Sequence, residues 1–192
     1  MATATTNRNN EGSYTGTAVA IGAGVGLVAG LLANVARKAA VQSPTMIAGN
    51  WDEALAAEHR MALGIFDLLE KTTDQQAGRR SFLLMQLKHA LGKHAFQEEN
   101  TVYAMMRDKG MTEGADHLNH EHGYVKQYLF ELTEMERGDP NWLPKLKEFR
   151  GKIEEHVREE EQELFPKLRG ELSEAENKHL TVQMNKEGLK LA

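Results

Sequence analysis

Two fourteen-residue stretches of this chain, HAFQEENTVYAMMR (His94 to Arg107) and HVREEEQELFPKLR (His156 to Arg169), carry one pattern. A histidine is followed by glutamates at +4 and +5, an apolar residue at +8, an aromatic at +9 and an arginine at +13. Upstream of each stands a Glu-His pair, Glu58-His59 and Glu121-His122, and the separations nearly match: 35 residues from His59 to His94, 34 from His122 to His156. The chain therefore reads as two copies of a helical hairpin. Neither copy can bury its apolar face alone, and short connections favour antiparallel neighbours, so an all-α, up-and-down four-helix bundle is expected over about residues 50–170.

The helix signals agree. Asn50 with Glu53 is a capping-box signature, and WDEALAAEHRMALGIFDLLEK carries apolar residues at helical spacing. The polar run KTTDQQAGRR separates it from a second helix expected from about Ser81 to Arg107. Lys109-Gly110 ends that helix, and Thr112 opens a third that runs towards Arg137-Gly138. Asp139-Pro140 and Pro144 introduce the fourth, which Pro166 should kink or close. Ser173 with Glu176 caps a short fifth helix within 171–192. Sustained period-two alternation is missing, so no strand is needed.

At about 1.5 Å rise per residue, His59 and His94 lie at similar distances from the first turn, and His122 and His156 at similar distances from the third. Glu98 and His122 are each 12 residues from Gly110. All four helices thus bring these residues to one level. Four residues make about one helical turn, so His94 shares a face with Glu98, and His156 with Glu160. Four imidazoles and two carboxylates converging in a bundle interior suit two divalent first-row ions, with the carboxylates bridging. The chain has no cysteine, which excludes thiolate sites, iron–sulfur clusters and disulfides. Iron is the expected metal where oxygen chemistry is wanted; zinc or manganese can use the same donors.

Other residues fit the pattern less well. His117 with Glu121 repeats the His-x-x-x-Glu spacing but has no counterpart in the other copy, and reads as a decoy. His89 lies about 140° from His94 around a regular helix, and His117 and His120 about 140° and 200° from His122. His179 falls on the terminal helix. Tyr103, Tyr124 and Tyr128 are read first as core, with hydrogen bonding near the metals as the functional alternative. Glu155, Glu159, Glu161 and Glu163 read as a solvated face.

Taken together, Glu58-His59, His94 to Glu99, Glu121-His122, and His156 to Glu161 followed by Leu-Phe-Pro resemble the hemerythrin-like proteins, the HHE cation-binding domains. The resemblance implies a non-haem di-iron centre that binds oxygen or a related small molecule such as nitric oxide. Carried over by position, His59, His94, His122 and His156 would be terminal ligands, and Glu98 and Glu160 would bridge. His120, His117, His89, Tyr103 and Tyr124 remain as additional ligands or supporting residues. Two departures from the oxygen-carrying hemerythrins of invertebrates stand out. Leu118 occupies the place of a further histidine one turn before the third-helix ligand, and Glu160-Glu161 stands where those proteins have an aspartate five residues after the last histidine. Fewer histidines leave more coordination positions open, which favours redox turnover over reversible carriage.

Residues 1–16 have the polar composition of a disordered tail. Residues 17–36, TAVAIGAGVGLVAGLLANVA, are long enough to cross a bilayer as a helix, with Arg37-Lys38 following. Gly22, Gly26 and Gly30 stack at small-xxx-small spacing. A membrane anchor that leaves the bundle cytoplasmic and a self-association helix in a homo-oligomer both fit residues 17–40; a secretory signal fits less well, lacking a basic start and a clean cleavage site. The net charge of -5 with no basic stripe argues against nucleic acid. Three functions compete: a di-iron protein that binds, stores or senses oxygen or nitric oxide, a di-iron redox enzyme acting on oxygen, peroxide or ferrous iron, and a self-assembling bundle in which metal is a folding staple.

Overall fold

The computed structural model describes residues 49–192, together with Asn34, Arg37 and Lys38. Contacts divide the chain into units Met1–Ala39 and Ala40–Ala192. The expected tail and, apart from Asn34, the apolar segment 17–36 lie outside the described residues. Among the described residues no helix is long and apolar enough to cross a membrane.

Among its described residues, the second unit is built of helices and short turns, without strands. In chain order it comprises α1 (Trp51–Glu70), α2 (Ala77–Gln97), a π-helical turn π1 (Glu98–Val102), α3 (Tyr103–Asp108), α4 (Thr112–Glu134), α5 (Trp142–Glu159), a second π turn π2 (Glu160–Leu164), α6 (Phe165–Glu171) and α7 (Glu174–Leu191). Because α2, π1 and α3 are contiguous, as are α5, π2 and α6, the first six helices form the four long rods of the expected bundle. α1 packs on α2 and α5, and α4 packs on α3 and α5. Gly110, at φ +78°, supplies the left-handed turn between α3 and α4 that a side-chain-bearing residue would resist.

Local chemistry explains the ends. The Asn50 amide donates to Glu53 Oε2 at 3.1 Å, and the Ser173 amide donates to Glu176 Oε2 at 2.8 Å while Ser173 Oγ accepts from the Glu176 amide at 3.3 Å. Both boxes stand where the sequence placed them. The second rod begins at Ala77, four residues before the expected Ser81. Its first turn buries Arg80, which donates to Thr72 Oγ1 at 2.9 Å and Asp74 Oδ1 at 3.0 Å, bonds the Arg137 carbonyl, and lies over the Trp142 ring at 5.1 Å. Polar composition therefore misled: this loop-like run closes one end of the bundle. The third rod ends at Glu134, ahead of Arg137-Gly138.

Two further expectations need correction. Pro166 does not close the fourth rod, which stays helical to Glu171. The π turn just before it shifts the hydrogen-bond register where proline's missing amide would fall. The fifth helix is not short: α7 has 18 residues, runs to Leu191 and buries Leu180 and Met184. It closes the other end of the bundle, with Asn177 Oδ1 accepting from the Trp51 indole at 3.0 Å and the Met184 carbonyl accepting from Gln97 Nε2 at 3.3 Å.

The core is split. One apolar cluster gathers Trp51, Leu55, Met106, Leu118, Phe165 and Leu180, the other Phe66, Leu84, Leu87, Leu132, Trp142 and Phe149. On α1, Glu58 and His59 fall between Leu55 of the first cluster and Ala62 of the second. A polar layer thus crosses the bundle between two dry ends.

Candidate metal centre

Each rod delivers its residues to that layer by its apolar stripe. On α1 the buried positions run Trp51, Ala54, Leu55, Glu58, His59, Ala62, Phe66 and Leu69, so Glu58 and His59 occupy core positions. His94, Glu98, His122, His156 and Glu160 are likewise buried, Glu98 and Glu160 completely. Each of these two glutamates is the first residue of a π turn. π1 contains no proline and neither does π2, so proline is not their common cause; what they share is the carboxylate at their start. A wider turn inserted in a helix is often found at a functional site.

The imidazoles point Nε2 inwards. His59 Nε2 lies 2.9 Å from His94 Nε2 and 3.2 Å from Glu160 Oε2. Glu98 Oε2 lies 3.1 Å from His94 Nε2 and 3.4 Å from His122 Nε2. His156 Nε2 lies 3.4 Å from Glu160 Oε2. Two groups of donor atoms result, His59, His94, Glu98 and Glu160 in one, and Glu98, His122 and His156 in the other. Glu98 belongs to both.

Every outward nitrogen meets a carboxylate. Nδ1 of His59 donates to Glu161 at 2.8 Å, of His94 to Glu58 at 3.1 Å, of His122 to Glu99 at 3.0 Å and of His156 to Glu121 at 2.7 Å. An ionised carboxylate only accepts, so Nδ1 carries the hydrogen and Nε2 turns a lone pair to the centre. This wiring fixes tautomer and ring orientation and raises the basicity of the inner nitrogen, as it does around bound metals. It follows the repeat: Glu58 and Glu121 act within their own hairpins, while Glu99 and Glu161 reach across to the other.

These four glutamates are what the sequence reading missed. Glu161 is exposed, as expected, yet it also holds His59, and that hydrogen bond lowers its carboxyl below the usual range. Glu99 and Glu121 are lowered for the same reason, by His122 and His156. Burial pushes Glu58 up, but His94 and Lys93, whose Nζ donates at 2.5 Å, bring it down to about 2. The signal was present: both residues of each Glu-His and Glu-Glu pair recur in the repeat.

Protons alone serve this layer poorly. Burial pushes His59, His94 and His122 down, but the surrounding carboxylates outweigh it and raise all three, His122 to about 9. Burial raises Glu98, yet His94 and His122 hold it well below the usual carboxylate range. Positive charge is therefore favoured at the centre, but at 2.9 Å the facing nitrogens of His59 and His94 leave room for one proton between them. Among the described residues, His156 Nε2, Glu98 Oε1 and Glu160 Oε2 are buried without a hydrogen bond. Orphaned buried acceptors are costly, and converging nitrogen and carboxylate lone pairs are what a divalent cation satisfies. The donor set fits metal.

Of the supporting candidates, Tyr103 alone joins the centre. Its hydroxyl donates to Glu160 Oε1 at 2.8 Å and lies 3.3 Å from Glu98 Oε2 and 3.2 Å from His122 Nε2. Burial, then Glu160 and Glu98, raises its pKa well above the usual value. His89, His120 and Tyr124 are exposed on the bundle surface, and the regular α4 carries no irregularity that brings His120 in. His179 is exposed on α7. His117 is exposed too, 3.2 Å from Glu159 Oε2 and 3.7 Å from Glu121 Oε1.

The sequence profile of the hemerythrin HHE cation-binding domain matches residues 52–168, nearly the whole span of the four rods. The chain belongs to the hemerythrin family. It is also 29% identical, over 131 residues, to an uncharacterized hemerythrin-like protein of Schizosaccharomyces pombe (strain 972). That alignment covers 67% of this chain and 64% of the yeast protein, so the chain spans less than two thirds of its relative's length. No solved structure matches it. A hemerythrin domain is a cation-binding domain, usually of iron, and the buried His/Glu layer is where such an ion fits.

Proposed function

We propose that the bundle holds two iron ions, one at His59, His94, Glu98 and Glu160 and the other at Glu98, His122 and His156, and binds a diatomic molecule, oxygen or nitric oxide. The observation that carries the ligand is a cavity of about 20 Å³ against the four histidines, walled by Ala62, Leu91, Ala95, Val125, Ile153 and Val157. A water needs roughly 10–15 Å³ on the same measure, so the space suits a molecule of two heavy atoms and little more. Its apolar wall favours an uncharged guest. When bound, ferrous iron supplies the electrons and open positions that oxygen or nitric oxide requires. The chain contributes the rest: glutamates outside the histidines hold the rings, Glu98 joins the two positions, and the apolar clusters exclude bulk water.

A redox enzyme is the second reading. Leu118 supports it, because the position one turn before His122 is filled by a side chain buried in the apolar cluster and offers no nitrogen. Anaerobic protein loaded with ferrous iron, titrated with oxygen and then flushed with argon, separates the two. Visible bands that vanish on flushing mean reversible binding; bands that persist mean oxidation and direct attention to peroxide and ferrous turnover. Protein that takes up no iron overturns both.

A further inference from the structure

The two hairpins place an aromatic residue at one repeat position, and only one of the pair is polar. Phe165 lies parallel to the His59 ring, centroids 6.5 Å apart at 12°, and offers the centre no polar atom. Tyr103 leans on His122, centroids 5.4 Å apart at 37°, and carries its hydroxyl among Glu160, Glu98 and His122. This is also the poorer side. The group around His59 and His94 counts four donors, the group around His122 and His156 three.

We propose that Tyr103 is a metal ligand, the fourth protein donor of the His122–His156 position, and that it makes the two metal positions chemically different. The inference rests on the metal-centre reading above. Its hydroxyl stands 2.8–3.3 Å from three atoms of the donor layer, the separation of neighbouring ligand atoms about one small cation with bonds of ~2.0–2.2 Å. It is fully buried, so no water competes for the place. A bound cation would take the place of the hydroxyl's proton, which Glu160 Oε1 accepts at 2.8 Å; the exchange releases one proton per ion bound and moves no electron. Phe165 cannot do the same, so a phenolate oxygen, a hard donor suited to ferric iron, is given to one position alone.

The test is spectroscopic and needs no turnover. Full-length protein is loaded with ferric iron, its iron content measured, and its visible and resonance Raman spectra recorded beside those of Tyr103→Phe. Expected are a phenolate-to-iron charge-transfer band with enhanced tyrosine ring modes in the parent, their loss in Y103F, and about 10- to 100-fold weaker uptake of the second iron. A parent that takes up two irons without the band overturns the ligand assignment and leaves the metal centre standing. So does a band that survives in Y103F. A parent that binds no iron overturns both readings. If Y103F does not fold, the parent spectrum decides, and Tyr124→Phe, an exposed position, must leave the band intact.

Discussion

The first hairpin (α1, α2, π1, α3) and the second (α4, α5, π2, α6) solve one problem with the same parts. Each sets a Glu-His pair opposite a histidine and a Glu-Glu pair at the head of a π turn, and each lends one glutamate to the other's histidine. Even the arginines that end the repeat each bind an aspartate on the first rod of the other hairpin, Arg107 to Asp116 and Arg169 to Asp52. The differences are few and sit around the donor layer. Tyr103 takes the repeat position that Phe165 holds in the other hairpin, and Glu58 is clamped by buried Lys93 where Glu121 meets exposed His117. Duplication therefore builds the cage, and a handful of substitutions give its halves different chemistry.

The comparison breaks most sharply at the carboxylates. Glu98 serves both donor groups and Glu160 one. Glu98→Ala should abolish binding of both ions, whereas Glu160→Ala should leave the His122–His156 position able to hold one, as metal analysis per chain will read. Two ions retained in E98A would remove Glu98 from the centre. Next come the supporting glutamates. Glu99→Gln and Glu161→Gln loosen equivalent histidines, so each should weaken metal binding by about 10- to 100-fold and by similar factors. A calorimetric difference between them much larger than that range would show that the halves are not interchangeable even in wiring.

Acidity gives the third test. His122 is raised from 6.5 to about 9 in the metal-free fold, so the stability it contributes is complete below pH 6.5 and disappears as pH rises through about 9. Metal-free bundle should lose on the order of 2–3 kcal/mol across that window. Metal binding must displace the same proton, so affinity should rise over the same window while the loaded protein keeps its stability. Paired denaturation curves, with and without metal, at pH 6 and pH 9 check this. Parallel pH profiles would mean that His122 does not exchange a proton for the ion.

Much of this was legible in the repeat. Spacing placed His59, His94, Glu98, His122, His156 and Glu160 on one level, and family membership agrees with the fold it implied. Side-chain direction was not legible. A helical period says which residues share a face, but Glu99 and Glu161 follow residues that already face the core, and only the π turns let neighbouring glutamates serve two different histidines. Arg80 was lost for a related reason: its partners Thr72, Asp74 and Arg137 come from two separate loops, and composition alone calls all of them solvated. Tyr103 and Phe165 matched as aromatics, and the pattern gave no weight to the one oxygen that separates them.

A smaller effect is expected at the cavity wall. Ala62→Val adds bulk to a space of about 20 Å³ without touching a ligand atom. Metal content should stay at two ions, stability should fall by about 1–3 kcal/mol from overpacking, and binding of oxygen or nitric oxide should slow or weaken. Stopped-flow mixing of the ferrous protein with each gas reads the rate. An unchanged rate would mean that the guest approaches the metals from another side.

The smallest effect is expected at His117, and it bears on how far the centre extends. Its imidazole is 51% exposed and touches Glu121, which in turn holds His156 at 2.7 Å, so a chain of contacts runs from solvent to the inner donors. An exposed pair of this kind is worth little, about 0–1 kcal/mol, because water competes with both partners. Glu121 can hold His156 without it, as Glu99 and Glu161 hold their histidines with no histidine beside them. His117→Ala should therefore leave metal content at two ions and shift stability by less than about 0.5 kcal/mol. A marked loss of metal in H117A would mean that Glu121 needs an outer partner as Glu58 has Lys93, and the exposed histidine would then count as the second hairpin's version of that clamp.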